Sequence, residues 1–227
     1  MKKLVLLIGI IAGFICQPNS LTAQPNGIQV TESTPSGLKI HFETKDFSMT
    51  TFNYKGEEMQ TFSMAGFVLP AEKGAPNAPC ISSFVTVPHG AKVSVNVVGM
   101  EMETFENVNL APSLGIVSDL EKANTDYEKD AEIYAVNAFY PLQNVDVSEP
   151  FALRGVDVVA LSLFPVQFNP ITRQLQVCRN IELELNFEGG ENFGENRLRS
   201  PYWDAIMERN ILNVGDVVNL TEGRLPR

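Results

Sequence analysis

Basic residues are scarce in this sequence, and their scarcity limits the partners that the chain can bind. The 227 residues contain 17 Lys and Arg against 27 Asp and Glu, which gives a formal net charge of -10 at pH 7. Binding to nucleic acid or to an anionic membrane surface requires clustered positive charge close to the phosphates. We therefore expect neither nucleic acid nor a membrane as a partner of the mature chain.

Histidine and cysteine are also rare, with 2 His and 3 Cys in the whole sequence. A Cys or Ser nucleophile requires a base within hydrogen-bond reach, and only His41 and His89 are available for that role. His41 alternates on a predicted strand and His89 lies in the Val87–Gly90 turn, so we assign structural positions to both. The scattered Cys and His residues have no zinc-ligand spacing. We therefore predict no metal, no cofactor and no catalytic residues.

The single long apolar run lies at the N-terminus and is too short to span a membrane. It extends from Leu4 to Ile15, about twelve residues, whereas a membrane-spanning helix requires roughly 20. Lys2 and Lys3 precede this run and a small-residue end at Ala23 follows it, a pattern typical of a secretory signal peptide. We predict cleavage after Ala23 and secretion to the periplasm or the cell exterior. Loss of two Lys changes the net charge from -10 to -12.

Two cysteines remain in the predicted mature chain, Cys80 and Cys178. A disulfide requires an oxidising compartment and a short separation between the two Cα atoms, and the sequence defines only the first condition. A Cys80–Cys178 disulfide and two buried free thiols are both compatible with the sequence.

Alternation of apolar and polar residues dominates the mature chain and predicts strands. The alternation is clearest at Leu38–Phe42, Val93–Val97 and Ile181–Phe187, and this period is typical of half-buried strands. High content of β-branched and aromatic residues predicts further strands at 47–54, 60–68, 81–87, 102–108, 156–164 and 174–177. About eight or nine strands predict an all-β fold, an antiparallel, jelly-roll-like β-sandwich. A turn at 168–173, in which Pro170 occupies a turn position and Asn169 can bond to its own backbone, predicts that residues 156–187 form a hairpin.

Two regions depart from the strand pattern. Residues 112–149 form a loop-rich connection whose acidic residues at 119–132 we interpret as a long solvated loop rather than a glycosidase carboxylate pair. Near the C-terminus, Ser200 is a suitable N-cap and Pro201 a suitable first residue of a short amphipathic helix. The predicted organisation is a signal peptide at 1–23, a β-sandwich at 24–188, and a glycine-rich hinge, a helix and a processing tail at 189–227.

Several short segments occur in a characteristic order from about residue 60 to residue 210. They are Lys73–Pro79, Val85–Ala91, Leu110–Ser118, Glu149–Val156, Pro165–Thr172 and Ser200–Trp203. Each segment alone is a weak turn-and-strand pattern. Their order and spacing together resemble the N-terminal prodomain of gingipain-type cysteine peptidases, which are caspase-like secreted proteases.

The resemblance implies a specific role. Such prodomains are β-sandwiches that cover the active site of the catalytic domain, keep it latent during export, assist its folding and are then cut away. The implied partner is the catalytic domain of a caspase-like cysteine peptidase, bound in cis or in trans. The resemblance therefore predicts an inhibitory prodomain that has no catalysis of its own.

The same resemblance points to an inhibitory loop. In Arg- and Lys-specific members, a loop after the Leu-Ala-Pro-Ser segment offers the protease a residue of its preferred type, and the matching position here is Asp119, between Ser118 and Leu120. Asp does not pair with an acidic pocket built for Arg or Lys. Either the cognate protease has a basic pocket and prefers Asp, which we favour, or the loop blocks the cleft without filling that pocket. Alternatively, Asp119 is a solvated loop acid and Lys122 or Lys129 occupies the pocket.

The C-terminus has two candidate processing sites, Arg224 and Arg227. A terminal Arg is the product of trypsin-like or gingipain-like cleavage, but an unstructured polar tail accounts for the same residues.

An extracellular binding module is the alternative function from a different class. β-Sandwiches of this kind bind glycans or act as adhesins, and exposed Phe139, Tyr140 and Trp203 would stack on sugar rings. Core packing is the more ordinary role of these aromatic side chains.

Overall fold

The computed structural model describes residues 27–115, 126–193 and 201–217. In these ranges, antiparallel strands in packed sheets form a β-sandwich, which confirms the predicted fold class. No helix within the described ranges has the length and apolar character needed to cross a membrane.

The strands are β1 (Ile28–Thr34), β2 (Gly37–Glu43), β3 (Phe47–Tyr54), β4 (Glu57–Met64), β5 (Ile81–Thr86), β6 (Lys92–Phe105), β7 (Val145–Val147), β8 (Phe151–Leu153), β9 (Val156–Leu163), β10 (Val166–Asn169) and β11 (Gln174–Glu188). The helices are α1 (Ala131–Tyr134), α2 (Pro201–Asn210) and a 3-10 turn at Val214–Asp216.

The larger sheet is centred on β11. One edge of β11 pairs with β10 and then with β2, so these two strands lie end to end, and β1 pairs with the outer side of β2. The other edge of β11 pairs with β6 over nearly its whole length. The sequence predicts two short strands in place of each of these long ones. Register shifts at Cys178/Asn180 and Glu182/Leu183 change the phase of the alternation without ending the ladder.

The smaller sheet is centred on β9. β5 pairs with one edge of β9, and β7 and β8 pair with the other. The predicted 156–187 hairpin is therefore wrong in one part, because β9 belongs to this sheet and the hairpin consists of β10 and β11. Its turn is held as the sequence predicts, since Asn169 Oδ1 accepts from the N–H groups of Ile171 (3.0 Å) and Thr172 (3.2 Å).

Side chains from the inner faces of the two sheets form the main core. Ile40, Phe42 and Leu183 of the larger sheet pack with Val159 and Leu161 of the smaller one. Each such burial stabilises the fold by about 1.5–3 kcal/mol before the loss of chain entropy is counted. These residues alternate along their strands, so the period-two pattern identified the core face directly.

Helix α2 covers the outer face of the smaller sheet. Met207 of α2 and Ile211, just after it, pack against Val156 and Val158 of β9. The side chain of Asn213, which follows α2, bonds to both backbone groups of Thr86. Asn213 Oδ1 accepts from Thr86 N at 2.9 Å, and Asn213 Nδ2 donates to Thr86 O at 3.0 Å. The C-terminal segment is thereby joined to the edge of β5.

The β3–β4 hairpin forms a separate two-stranded sheet. Phe62 and Met64 of β4 pack with Phe168 of β10 and Leu175 of β11 in a second apolar cluster. Most of β3 faces solvent. The tip of this hairpin is bonded to Asp126, where the chain leaves the acidic loop.

Candidate functional site

The segments that flank residues 116–125 are here called the loop roots: residues 113–115 form the entry root and residues 126–130 the exit root. The entry root is fixed by hydrogen bonds. Ser113 N donates to Ala75 O at 2.7 Å, and Ser113 is buried. Its hydroxyl donates to Pro70 O at 2.6 Å and accepts from Gly115 N at 3.1 Å. Because Ser113 satisfies both its backbone and its side chain in this way, the segment before the loop has one defined path.

Gly74 joins the two ends of the loop. Its N–H donates to Ser113 O at 2.9 Å, and its carbonyl accepts from Asp130 N at 3.0 Å. Its φ is +88°, and a Cβ would lie 3.0 Å from Asp130 N and 3.1 Å from Glu128 O. Only glycine adopts this conformation and leaves this space empty without strain. One residue thus holds the chain before and after residues 116–125.

The chain leaves the loop against the tip of the β3–β4 hairpin. Asp126 accepts a hydrogen bond from the Tyr54 hydroxyl and another from Lys55 Nζ at 2.9 Å. These two bonds, the one from Tyr54 first, lower the pKa of Asp126. The Tyr127 ring lies 5.0 Å from the Phe52 ring and 5.3 Å from the Tyr54 ring, measured between centroids. Aromatic packing and hydrogen bonds to a carboxylate therefore fix the exit root.

Lys129 is bound within the same root. Its Nζ lies 2.5 Å from Glu57 Oε1 and 3.2 Å from Asn109 Oδ1, and it sits 5.4 Å from the centroid of the Tyr134 ring. The hydrogen bond from Lys129 is the main cause of the lowered pKa of Glu57. The Lys129 side chain is only 26% exposed. Moving it into a protease pocket would separate it from all three partners.

Helix α1 ends the loop region. Asp130 caps it, because Asp130 Oδ1 accepts from Glu132 N at 2.8 Å and from Ile133 N at 3.3 Å. The Tyr134 hydroxyl then donates to Leu110 O at 2.9 Å. Burial raises the pKa of this Tyr134 hydroxyl, so it remains a hydrogen-bond donor at any physiological pH.

Comparison with known proteins assigns the chain to a family. Residues 17–218 match the family model described as Propeptide_C25. The chain belongs to the Propeptide_C25 family. The resemblance to gingipain prodomains that the short segments indicate is thereby confirmed, and with it the propeptide class of this domain.

Relatives in Porphyromonas gingivalis show the same relationship. Lys-gingipain is 27% identical over 226 residues, which cover 92% of this chain and 13% of that protein. Gingipain R1 is 28% identical over 182 residues, which cover 78% of this chain and 18% of that protein. The chain therefore spans less than one fifth of the length of these curated relatives.

Two solved structures share the fold of this Propeptide_C25 domain. A complex of Porphyromonas gingivalis RgpB pro- and mature domains matches with a TM-score of 0.72 at 23% identity, covering 84% of this chain and 98% of the matched chain. A structure that gives insight into the zymogenic latency of gingipain K from the same organism matches with a TM-score of 0.62 at 24% identity, covering 75% and 97%. At these identities the matches establish the fold.

The predicted inhibitory and processing residues lie outside the described ranges. Neither the loop residues Ser118, Asp119, Leu120 and Lys122, nor the candidate processing sites Arg224 and Arg227, nor the signal peptide at 1–23 is described. What the structure does describe is the pair of loop roots. The Lys73–Pro79 segment, singled out in the sequence, contains Gly74, which holds both roots. The two partners of Gly74 lie 39 and 56 positions away, and local sequence patterns do not identify them.

The two cysteines of this Propeptide_C25 domain are free thiols in the structure. Cys178 is buried and its Sγ lies 3.2 Å from Asn180 O, whereas Cys80 is partly exposed. Burial raises the pKa of both thiols, and raises that of Cys178 to about 11. Both side chains are therefore protonated at neutral pH, and protonated thiols are weak nucleophiles.

Both histidines have carboxylate partners. His41 Nδ1 lies 2.7 Å from Glu182 Oε1, and His89 Nδ1 lies 2.8 Å from Asp157 Oδ2. Within the described ranges, no group of three or more His, Cys, Asp or Glu side chains has the arrangement of a metal site.

Two of the aromatic residues named for glycan stacking, Tyr140 and Trp203, have other contacts. Phe139 and Tyr140 are half-buried, and the Tyr140 hydroxyl donates to Glu72 Oε2 at 2.9 Å. Trp203 is 41% exposed and its ring lies 4.8 Å from the Arg154 guanidinium carbon.

Proposed function

We propose that this chain is the prodomain of a secreted gingipain-type cysteine peptidase. It binds the catalytic domain, inhibits it and is removed by proteolysis when the enzyme is needed. It takes no part in catalysis itself. The observation that supports this most directly is the loop whose two ends Gly74 holds on the β-sandwich of a Propeptide_C25 domain.

Fixed roots explain how such a loop inhibits. Residues 116–125 connect Gly115, which is bonded to Ser113, to Asp126, which is bonded to Tyr54 and Lys55. Anchoring both ends reduces the conformational freedom that the loop loses when it enters an active-site cleft. More of the contact energy therefore remains for affinity.

We propose Ser118, Asp119 and Leu120 as the segment that enters the active-site cleft. Lys129 is a poor alternative, because it is bonded to Glu57 and Asn109. If Lys129 moved into the cleft, the Glu57 carboxylate would lose the hydrogen bond that is the main cause of its lowered pKa. An Asp in the specificity pocket requires a basic pocket in the cognate peptidase. We therefore propose an Asp-preferring enzyme as the partner, bound in cis before processing and in trans afterwards.

We propose that the chain follows the secretory route through a signal peptide at 1–23, and that it is separated from the catalytic domain at Arg224 or Arg227. Val217 is buried together with Met207 and Val156. Cleavage at either Arg would leave this packing intact, so the released prodomain keeps its fold and its inhibitory surface.

Inhibition of a purified catalytic domain tests the proposal. Residues 24–227 would be mixed with the gingipain-type catalytic domain of the source organism, and residual activity measured on Asp, Arg and Lys peptide substrates. We expect an inhibition constant in the nanomolar range against an Asp-preferring enzyme. The variant Asp119→Ala should weaken inhibition by about tenfold or more, since it removes a charge-assisted pair. Lys122→Ala is the matched control and should leave inhibition unchanged.

Three outcomes would contradict parts of this proposal. Absence of inhibition for every such enzyme would overturn the prodomain role. If Lys122→Ala weakened inhibition and Asp119→Ala did not, Lys122 rather than Asp119 would be the residue that enters the specificity pocket. Retention of the chain on immobilised glycans, without inhibition, would support the alternative of a binding module.

A further inference from the structure

A groove of about 700 Å³ lies beside the two loop roots. Phe62, Phe67 and Leu69 contribute apolar side chains, while Ser113, Gly115 and Tyr127 belong to the roots themselves. Its volume is in the range of sites that bind ligands or anchor side chains, about 300–1,000 Å³. The groove and the two loop roots therefore share one face of the molecule.

Charged side chains are missing from the part of the groove lining that the structure describes. None of the described residues that line it carries a charge, although the whole chain has a formal charge of -10. Leu69, at its rim, is 53% exposed, and the neighbouring Val68 is 61% exposed. Exposed apolar surface next to a concave site is typical of an interaction surface.

We infer that this groove is a second contact site for the cognate peptidase, and that it takes an apolar side chain from a surface segment of the catalytic domain. This inference rests on the proposed function, because the loop must enter the peptidase for the peptidase to cover the groove.

Continuity with the loop roots is what selects this occupant. Ser113, Gly115 and Tyr127 line the groove and also bound residues 116–125. A peptidase that binds residues 116–125 in its cleft must therefore also contact the surface that contains the groove. The uncharged lining then favours an apolar residue over a charged one, since burying an unpaired charge there is costly.

A charge placed at the rim tests the inference. Leu69→Asp introduces a carboxylate into the uncharged groove, and Ile171→Asp is its matched control because Ile171 is equally exposed, at 53%, but does not line the groove. We expect Leu69→Asp to raise the inhibition constant by about tenfold or more, mainly through faster dissociation. Ile171→Asp should leave it within about twofold of the parent, and both variants should melt at the parent temperature.

A photo-crosslinker in place of Leu69 identifies the occupant directly. Crosslinks from the full chain to a peptide of the catalytic domain would support the inference. Crosslinks only to residues 116–125 of the same chain, or only to a second copy, would overturn it.

The two proposals fail in different ways. If the parent chain does not inhibit, the proposed function fails. If it inhibits and Asp119→Ala weakens it, but Leu69→Asp behaves as Ile171→Asp does, the groove inference alone fails.

Discussion

At the scale of single residues, Gly74 connects the loop roots through its two backbone groups, so its lack of a side chain determines how closely the roots approach each other. A Cβ there would press on Asp130 N and Glu128 O at 3.0 and 3.1 Å. The roots would have to move apart to relieve that contact, and the geometry of residues 116–125 would change with them.

Gly74→Ala should therefore destabilise the domain and weaken inhibition together. Gly56→Ala is the matched control, because Gly56 has nearly the same φ, +87° against +88°, but no atom within 4 Å of an added Cβ. We expect about 1 kcal/mol of destabilisation for Gly56→Ala, from φ alone, and about 2–4 kcal/mol for Gly74→Ala. Urea unfolding measures both, and equal values would show that the contacts at Gly74 relax freely.

At the scale of elements, the segment after α2 is attached to the smaller sheet by a side chain that acts as a strand. Asn213 is buried and pairs with both the N–H and the carbonyl of Thr86, 127 positions earlier. Its amide thereby provides the donor and the acceptor that a neighbouring strand would provide.

Asn213→Ala should destabilise the domain by about 2–3 kcal/mol, because it leaves two buried backbone groups without partners. Asn210→Ala is the control, since Asn210 is exposed and its side chain donates to Ile206 O in the preceding turn. That change should stay within about 0.5 kcal/mol of the parent. A result in which both substitutions have the same small effect would mean that water replaces the Asn213 amide at no cost.

Elements also show where local patterns are insufficient. The alternation at Val93–Val97 and at Ile181–Phe187 predicts strands that the structure contains. The pattern does not show that β6 and β11 each continue past these runs, because a bulge shifts the phase of the alternation. Long-range pairing keeps the strands together across those shifts.

At the scale of the whole molecule, the C-terminal helix belongs to the sandwich. The predicted sandwich at 24–188 stops before α2, yet Met207 and Ile211 are buried against Val156 and Val158. Removing the helix would expose this apolar face of β9 to water.

A chain of residues 24–217 should therefore melt at the temperature of the 24–227 chain, whereas a chain of residues 24–188 should melt well below it or fail to fold. Calorimetry on the three chains measures the difference. If residues 24–188 melt as the longest chain does, the contacts of α2 contribute little to stability.

The sequence by itself determined most of the longer strands, the core face where apolar residues alternate, the turn held by Asn169 and the amphipathic helix α2, because these follow from the local period and the capping chemistry of neighbouring residues. The strands β1, β7, β8 and β10 were not predicted. It also carried the family resemblance, in segments such as Lys73–Pro79. Only the tertiary structure decided that β2, β6 and β10 all pair with β11, that Gly74 joins both loop roots, and that an uncharged groove lies beside them. These features depend on which edges and surfaces meet across long stretches of chain, and local residue patterns do not specify that.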